Sequence, residues 1–144
     1  MHFWNDHRPG MKYVDVAIGI VLRYGKVLIC QRRAQGTLAG LWEFPGGKQG
    51  RAEKIEQTLA RELREELAIE VRMIEALPPI EFDYSSALVR LHPFLCEHVA
   101  GEPQPLASQS VQWVLPSDLP TYHFPPANDP LIKDLIRRFS SPPP

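Results

Sequence analysis

The 144-residue chain alternates strand and helix signals in the manner of an α/β sandwich. Three strand-like stretches precede one long amphipathic helix pattern, four follow it, and a second helix pattern closes the chain. Sheet elements flanking and alternating with helices bury both faces of a sheet most simply in that layered arrangement.

The elements follow from local pattern. Residues 13–23 and 26–32 are rich in β-branched residues and are separated by Tyr24-Gly25, which reads as a turn. After a loop at 38–40, residues 41–44 form a short strand that Pro45-Gly46-Gly47 should stop. A helix is expected over 52–67, with Ile55, Leu59, Leu63 and Leu67 spaced by four as its buried stripe. Strands are expected at 69–77, 80–84, 87–96 and 111–115. The last helix begins near Pro130, with Asp129 as N-cap and Leu131, Leu135, Ile136 and Phe139 facing inward. One domain spanning 1–144 is expected, with 1–12 and 140–144 as peripheral tails.

Sixteen Lys and Arg against 17 Asp and Glu leave no basic surplus, so a sequence-independent nucleic-acid binder is disfavoured and no nucleic-acid polymer is expected as partner. Cys30 and Cys96 sit in apolar runs without metal-ligand spacing and read as buried thiols of a reducing compartment. The N-terminus lacks the apolar segment of a signal peptide, and no run approaches the roughly 18 apolar residues that span a bilayer. A cytoplasmic protein with no membrane partner, monomeric or dimeric, is the expectation. The five histidines show no ligand spacing, and Trp113 reads as core.

The chemistry lies between Gly47 and Ile69. Glu62, Glu65 and Glu66 stand at i, i+3 and i+4, so a helix gathers them within roughly a 100° arc. A charge run is ordinarily a solvated face, but like charges that close repel, and a hard divalent cation with oxygen ligands relieves them. The segment matches G-x5-E-x7-R-E-U-x-E-E-x-G-U, U being aliphatic, at every specified position but one. With average residue usage a chance match is on the order of one in 10⁸. This is the Nudix box, and the chain resembles the Nudix hydrolases. The departure is Ala68, which stands where the family has a helix-ending glycine and is expected to alter the turn into the next strand.

The resemblance implies a Nudix fold, a mixed sheet between helices, and hydrolysis of a diphosphate linkage with Mg²⁺ or Mn²⁺ as cofactor. Divalent ions polarise phosphoryl oxygens and acidify water. By the same resemblance Glu62, Glu65 and Glu66 coordinate metal with a carbonyl of Gly46 or Gly47, and Glu62 is the candidate for orienting the attacking water. Glu53 and Arg61 look like the pair that keeps loop and helix in register.

Outside the box, the segments at 41–48 (Leu-Trp-Glu-Phe-Pro-Gly-Gly-Lys) and 124–130 (Phe-Pro-Pro-Ala-Asn-Asp-Pro) are similar to the MutT type, which hydrolyses 8-oxo-dGTP to 8-oxo-dGMP and pyrophosphate. That likeness implies a small nucleotide substrate contacted by Arg33, Glu43, Phe44 and Asn128, with Tyr84 as a possible stacker. Oxidation at C8 turns guanine N7 from an acceptor into an N–H donor beside the O6 acceptor, and an asparagine amide offers the complementary pair. Asn128 also reads as a plain turn residue, and Phe44 as plain core. Two features depart from the type: residues 106–110 hold no carboxylate to complete a metal shell, leaving Gln109 or a water to substitute, and no arginine follows Phe82 before Arg90. The alternatives are a Nudix hydrolase acting on another nucleoside triphosphate or on triphosphorylated RNA ends, and a non-catalytic module that recognises 8-oxoguanine.

Overall fold

The computed structural model describes residues 13–36, 38–84 and 87–139, with Tyr84 described in its backbone alone. The segments expected as tails lie outside the described residues. Strand β1 (Tyr13–Arg23) turns back into β2 (Lys26–Gln31), and the short strands β3 (Trp42–Glu43) and β4 (Gly46–Lys48) lead to helix α1 (Ile55–Leu67). Strands β5 (Glu70–Ala76), β6 (Ile80–Tyr84), β7 (Ala87–Ala100) and β8 (Ser110–Val114) follow, and helix α2 (Asp129–Phe139) comes last. The β1–β2 turn places Tyr24 and Gly25 both at positive φ, 50° and 76°, as a two-residue hairpin of matching twist requires.

The sheet is mixed. β1 runs parallel to β7, from Tyr13 opposite Leu88 to Leu22 opposite Glu97, and antiparallel to β2 and β4. β7 carries β5 and β6 antiparallel, and β2 carries β3 and β8 antiparallel.

Successive strand residues point to opposite faces, and both faces are covered, which is why β1 and β2 read as continuous apolar runs. Ala17, Val21, Leu28, Cys30, Phe94 and Cys96 meet Leu59, Leu63 and Leu67 of α1 on one face. Ile18, Ile20, Val27, Ile29 and Leu95 meet Leu131, Ile132 and Leu135 of α2 on the other. The molecule is therefore the expected α/β/α sandwich. Among the described residues no helix is long and apolar enough to cross a membrane.

Several boundaries differ from expectation for local reasons. Helix α1 starts at Ile55 rather than 52, because Ala52 takes φ 62° and Glu53 closes a turn onto the Gly50 carbonyl. Residues 46–48 are a strand, not a stop: Gly46 and Gly47 pair with Ile18 and Ala17, and a Cβ at Gly46 would lie 1.9 Å from the Ala17 carbonyl oxygen. Strand β7 runs to Ala100 because β5 pairs along it as far as Glu70. Asp129 is the first residue of α2 rather than its cap, since a 3-10 turn at Pro126–Asn128 leads directly into the helix.

Ala68 does not alter the helix end. It takes the left-handed conformation itself (φ 59°, ψ 38°) and donates its N–H to the carbonyls of Arg64 and Leu63, as a C-terminal glycine would.

Candidate active site

Helix α1 carries two adjacent rows spaced by four. Leu59, Leu63 and Leu67 enter the core, and the neighbouring row holds Thr58, Glu62 and Glu66. The carboxylate row faces β4. A Cβ at Gly47 would stand 2.5 Å from the Glu62 carboxyl carbon, so the missing side chain is what lets Glu62 reach the strand. Gly46 thus permits strand pairing and Gly47 makes room for a carboxylate.

Glu66 shares hydrogen bonds with Glu62 and with the backbone of Gly46. Burial, and then the charges of Glu62 and Glu43, push its carboxyl up to about 8. Glu65 does not join this pair. It is 60% exposed and ion-pairs with Arg61 at 3.0 Å. Among the described residues no three His, Cys, Asp or Glu side chains converge as a finished metal cage. The donor set nevertheless suits a hard divalent cation: two carboxylates meet on one turn, one half-buried and held protonated by that burial and by the other's charge, beside a glycine backbone. A cation between them would replace the proton.

Glu53 and Arg61 form the pair anticipated from the box. Arg61 donates Nε to Glu53 Oε2 at 2.7 Å and Nη2 to Oε1 at 3.0 Å, a two-pronged contact. Glu53 Oε1 also accepts from the Gly50 N–H at 3.0 Å and the Thr58 hydroxyl at 2.8 Å. Hydrogen bonds from Arg61 and then Thr58 hold the Glu53 carboxyl down at about 2, and Glu53 in turn raises the Arg61 guanidinium. The remaining Arg61 nitrogen reaches Glu62 at 3.2 Å and Glu65 at 3.0 Å.

The residues expected to touch the nucleotide separate into different places. Strand alternation splits Glu43 from Phe44. Glu43 pairs with Cys30 across β2, so it lies on the α1 face, where its charge acts on Glu66 and where Arg32 holds it at 2.9 Å. Phe44 is 3% exposed on the α2 face, its ring 5.1 Å from that of Phe124. It is core. Arg33 is exposed and donates to the carbonyls of Leu106 and Ala107 at 3.3 Å each. The Tyr84 side chain lies outside the described residues.

Asn128 is both a turn residue and a buried amide, 8% exposed. Its Nδ2 donates to the Pro125 carbonyl at 3.4 Å, while Oδ1 has no partner among the described residues. On the α2 face, Val16, Ile80 and Leu91 are partly buried against the core that contains Phe44.

Other expectations resolve plainly. Gln109 donates an amide N–H to the Arg32 carbonyl at 2.9 Å. Trp113 packs against the α1-side core and also lies under the Arg23 guanidinium, 4.3 Å from the ring centroid. His92 is bonded to Asp15 at 2.8 Å. Sequence reasoning missed Thr58, which is fully buried, and Ser108, whose hydroxyl donates to the Ser110 carbonyl at 3.4 Å near the Cys30 thiol. For Thr58, a polar residue in the row of the carboxylates was the available signal. Ser108 offered none.

The NUDIX domain family model matches residues 17–134. The chain is 38% identical over 123 residues to CTP pyrophosphohydrolase of Escherichia coli K12, covering 85% of this chain and 91% of that protein. It is 34% identical over 128 residues to the 8-oxo-dGTP diphosphatase of the same organism, covering 88% and 99%. Among solved structures, the E. coli ORF135 protein superposes with a TM-score of 0.79 at 34% identity, covering 96% of this chain and 99% of that one. A MutT structure from work on Aliivibrio salmonicida and Vibrio cholerae superposes with a TM-score of 0.70 at 35% identity, covering 89% and 100%. With the box complete except at Ala68 and its carboxylates set against the β4 glycines, the chain belongs to the Nudix hydrolase family, among its MutT-type members.

Proposed function

We propose that the chain is a Mg²⁺-dependent nucleoside triphosphate pyrophosphohydrolase that acts on 8-oxo-dGTP, releasing 8-oxo-dGMP and pyrophosphate. The observation that carries this reading is the convergence of Glu62 and Glu66 against Gly46-Gly47, with Glu66 half-buried. Glu62, Glu66 and the glycine backbone hold the cation, with Glu65 turning in from Arg61. The cation supplies neutralisation of the phosphoryl oxygens and an acidified water. Glu62, fixed on one side by Arg61 and on the other by the space at Gly47, orients the attacking water. Glu53 and Arg61 keep the turn at Gly50 and the carboxylate row in register.

Base selection rests on Asn128. One Nδ2 hydrogen goes to Pro125, which leaves a second hydrogen and Oδ1 as a donor–acceptor pair. That pair complements the O6 acceptor and N7–H donor of 8-oxoguanine, whereas ordinary guanine would meet it with one bond and one lone-pair clash. Sites built on buried hydrogen bonds discriminate strongly for this reason. The base lies on the apolar surface of Val16, Ile80 and Leu91. The enzyme works in a reducing cytoplasm, which suits its two buried thiols.

A second reading, hydrolysis of CTP or a related pyrimidine triphosphate, is favoured by the 38% identity to a CTP pyrophosphohydrolase. Rates on 8-oxo-dGTP, dGTP, CTP and triphosphorylated RNA at matched Mg²⁺, scored by pyrophosphate release, separate the readings. Asn128→Ala should erase the preference for 8-oxo-dGTP over dGTP while some hydrolysis persists. An unchanged ratio would remove Asn128 from base selection.

A further inference from the structure

Thr58 has no counterpart among the specified positions of the box, yet it is one of only two buried polar or charged residues among the described ones, fully enclosed on the α1 face. Its Oγ1 accepts from the Gly50 N–H at 3.3 Å and donates to Glu53 Oε1 at 2.8 Å. Accepting from an N–H fixes the sense of the second bond, so the hydroxyl hydrogen points at the carboxylate. That contact joins a chain of named bonds: Thr58 to Glu53, Glu53 to both prongs of Arg61, and Arg61 Nη1 to Glu62 and Glu65. Thr58 also lies one helical turn before Glu62, in the same row as the two converging carboxylates.

We infer that Thr58 is a positioning residue: its hydroxyl fixes the rotamer of Glu53, and through Arg61 it sets where the Glu62 carboxylate stands for cation binding. Glu53 Oε1 accepts three bonds, from Gly50, Thr58 and Arg61, and Oε2 accepts one. Without the hydroxyl, the carboxylate keeps Arg61 but can swing about its own axis, and Arg61 Nη1 then loses its fixed reach to Glu62. A methyl in place of the hydroxyl preserves volume, so packing alone would leave the cation site unchanged. The inference rests on the metal-dependent reading above, and its test separates the two.

The test is Mn²⁺ binding to the whole protein without nucleotide, followed by the free-ion electron paramagnetic resonance signal, for the wild type, Thr58→Val, Thr58→Ala and Thr58→Ser. Removing a group that orients a metal ligand should weaken Mn²⁺ affinity by about 10-fold in the Val and Ala variants, with Thr58→Ser within about 2-fold of wild type. The Glu53 carboxyl, followed by carbon-13 NMR, should titrate higher in Val and Ala than in Ser. Two substitutions guard against a variant that fails to fold, and Thr58→Ala keeps a good helix former. Wild-type protein that binds no Mn²⁺ overturns the metal-dependent reading itself. Wild-type binding matched by Thr58→Val or Thr58→Ala overturns the inference and leaves that reading intact, as does a Thr58→Ser variant as weak as Thr58→Val.

Discussion

The Glu62 carboxylate occupies the space that a side chain at Gly47 would take, with its two oxygens 2.6 and 2.8 Å from that Cβ position. Gly47→Ala should therefore leave the sandwich folded and push Glu62 off the site. Displacing a reacting group by an ångström costs on the order of 10²-fold in rate. Steady-state kinetics beside a far-ultraviolet circular dichroism spectrum checks this; near-normal turnover with Ala at 47 would show that Glu62 does not need that position.

Glu66→Gln should separate stability from activity. The folded-state carboxyl stands above its ordinary 4.5, so its proton favours the fold below that value, and the contribution disappears as pH rises through about 8. Glutamine removes the carboxylate repulsion, so the metal-free variant should melt higher than wild type at pH 9 and differ less at pH 5. Turnover should fall about 100-fold or more, the scale of losing one preorganised electrostatic group. Melting curves at the two pH values and a rate at saturating Mg²⁺ check both halves.

Cation binding should release a proton. Because Glu66 binds its proton up to about pH 8, Mn²⁺ competes with that proton at lower pH. Apparent Mn²⁺ affinity should climb from pH 6 to pH 8 and level off above it. Calorimetric titration in two buffers of different ionisation enthalpy counts the released proton, and an affinity flat across that range would take Glu66 out of the cation site.

Ala68 holds a left-handed conformation that costs a residue with a Cβ about 1 kcal/mol or more, partly offset by the extra freedom of glycine in the unfolded chain. Ala68→Gly should raise stability by about 0.5–1 kcal/mol with kcat unchanged, read from urea unfolding. A loss of stability would mean that the helix end is not strained.

Much of this is legible in the sequence. Resemblance to the box put Glu53 beside Arg61, and the period-four stripe, which depends on helix geometry alone, placed Leu59, Leu63 and Leu67 in the core. Stretches rich in β-branched residues marked β1 and β2 as strands. Pairing between distant segments was harder to read. Gly46-Gly47 resembles a loop until β1 is seen against it, and Glu43 and Phe44 look like one nucleotide-facing pair until the strand sends them to opposite faces. Glu65 shares an arc with Glu62 and Glu66 by spacing, but Arg61, four residues earlier, claims it. Asn128 is buried, which its turn-like surroundings in the sequence do not report.

The most direct measurement is a crystal soaked with Mn²⁺ and a non-hydrolysable nucleoside triphosphate, with the ion located by its anomalous signal. The site described here requires a manganese peak within about 2.3 Å of carboxylate oxygens of Glu62 and Glu66, a typical distance for a hard cation, and in contact with the phosphates. A triphosphate bound with no ion beside that turn, or with both carboxylates turned to bulk water, would refute it.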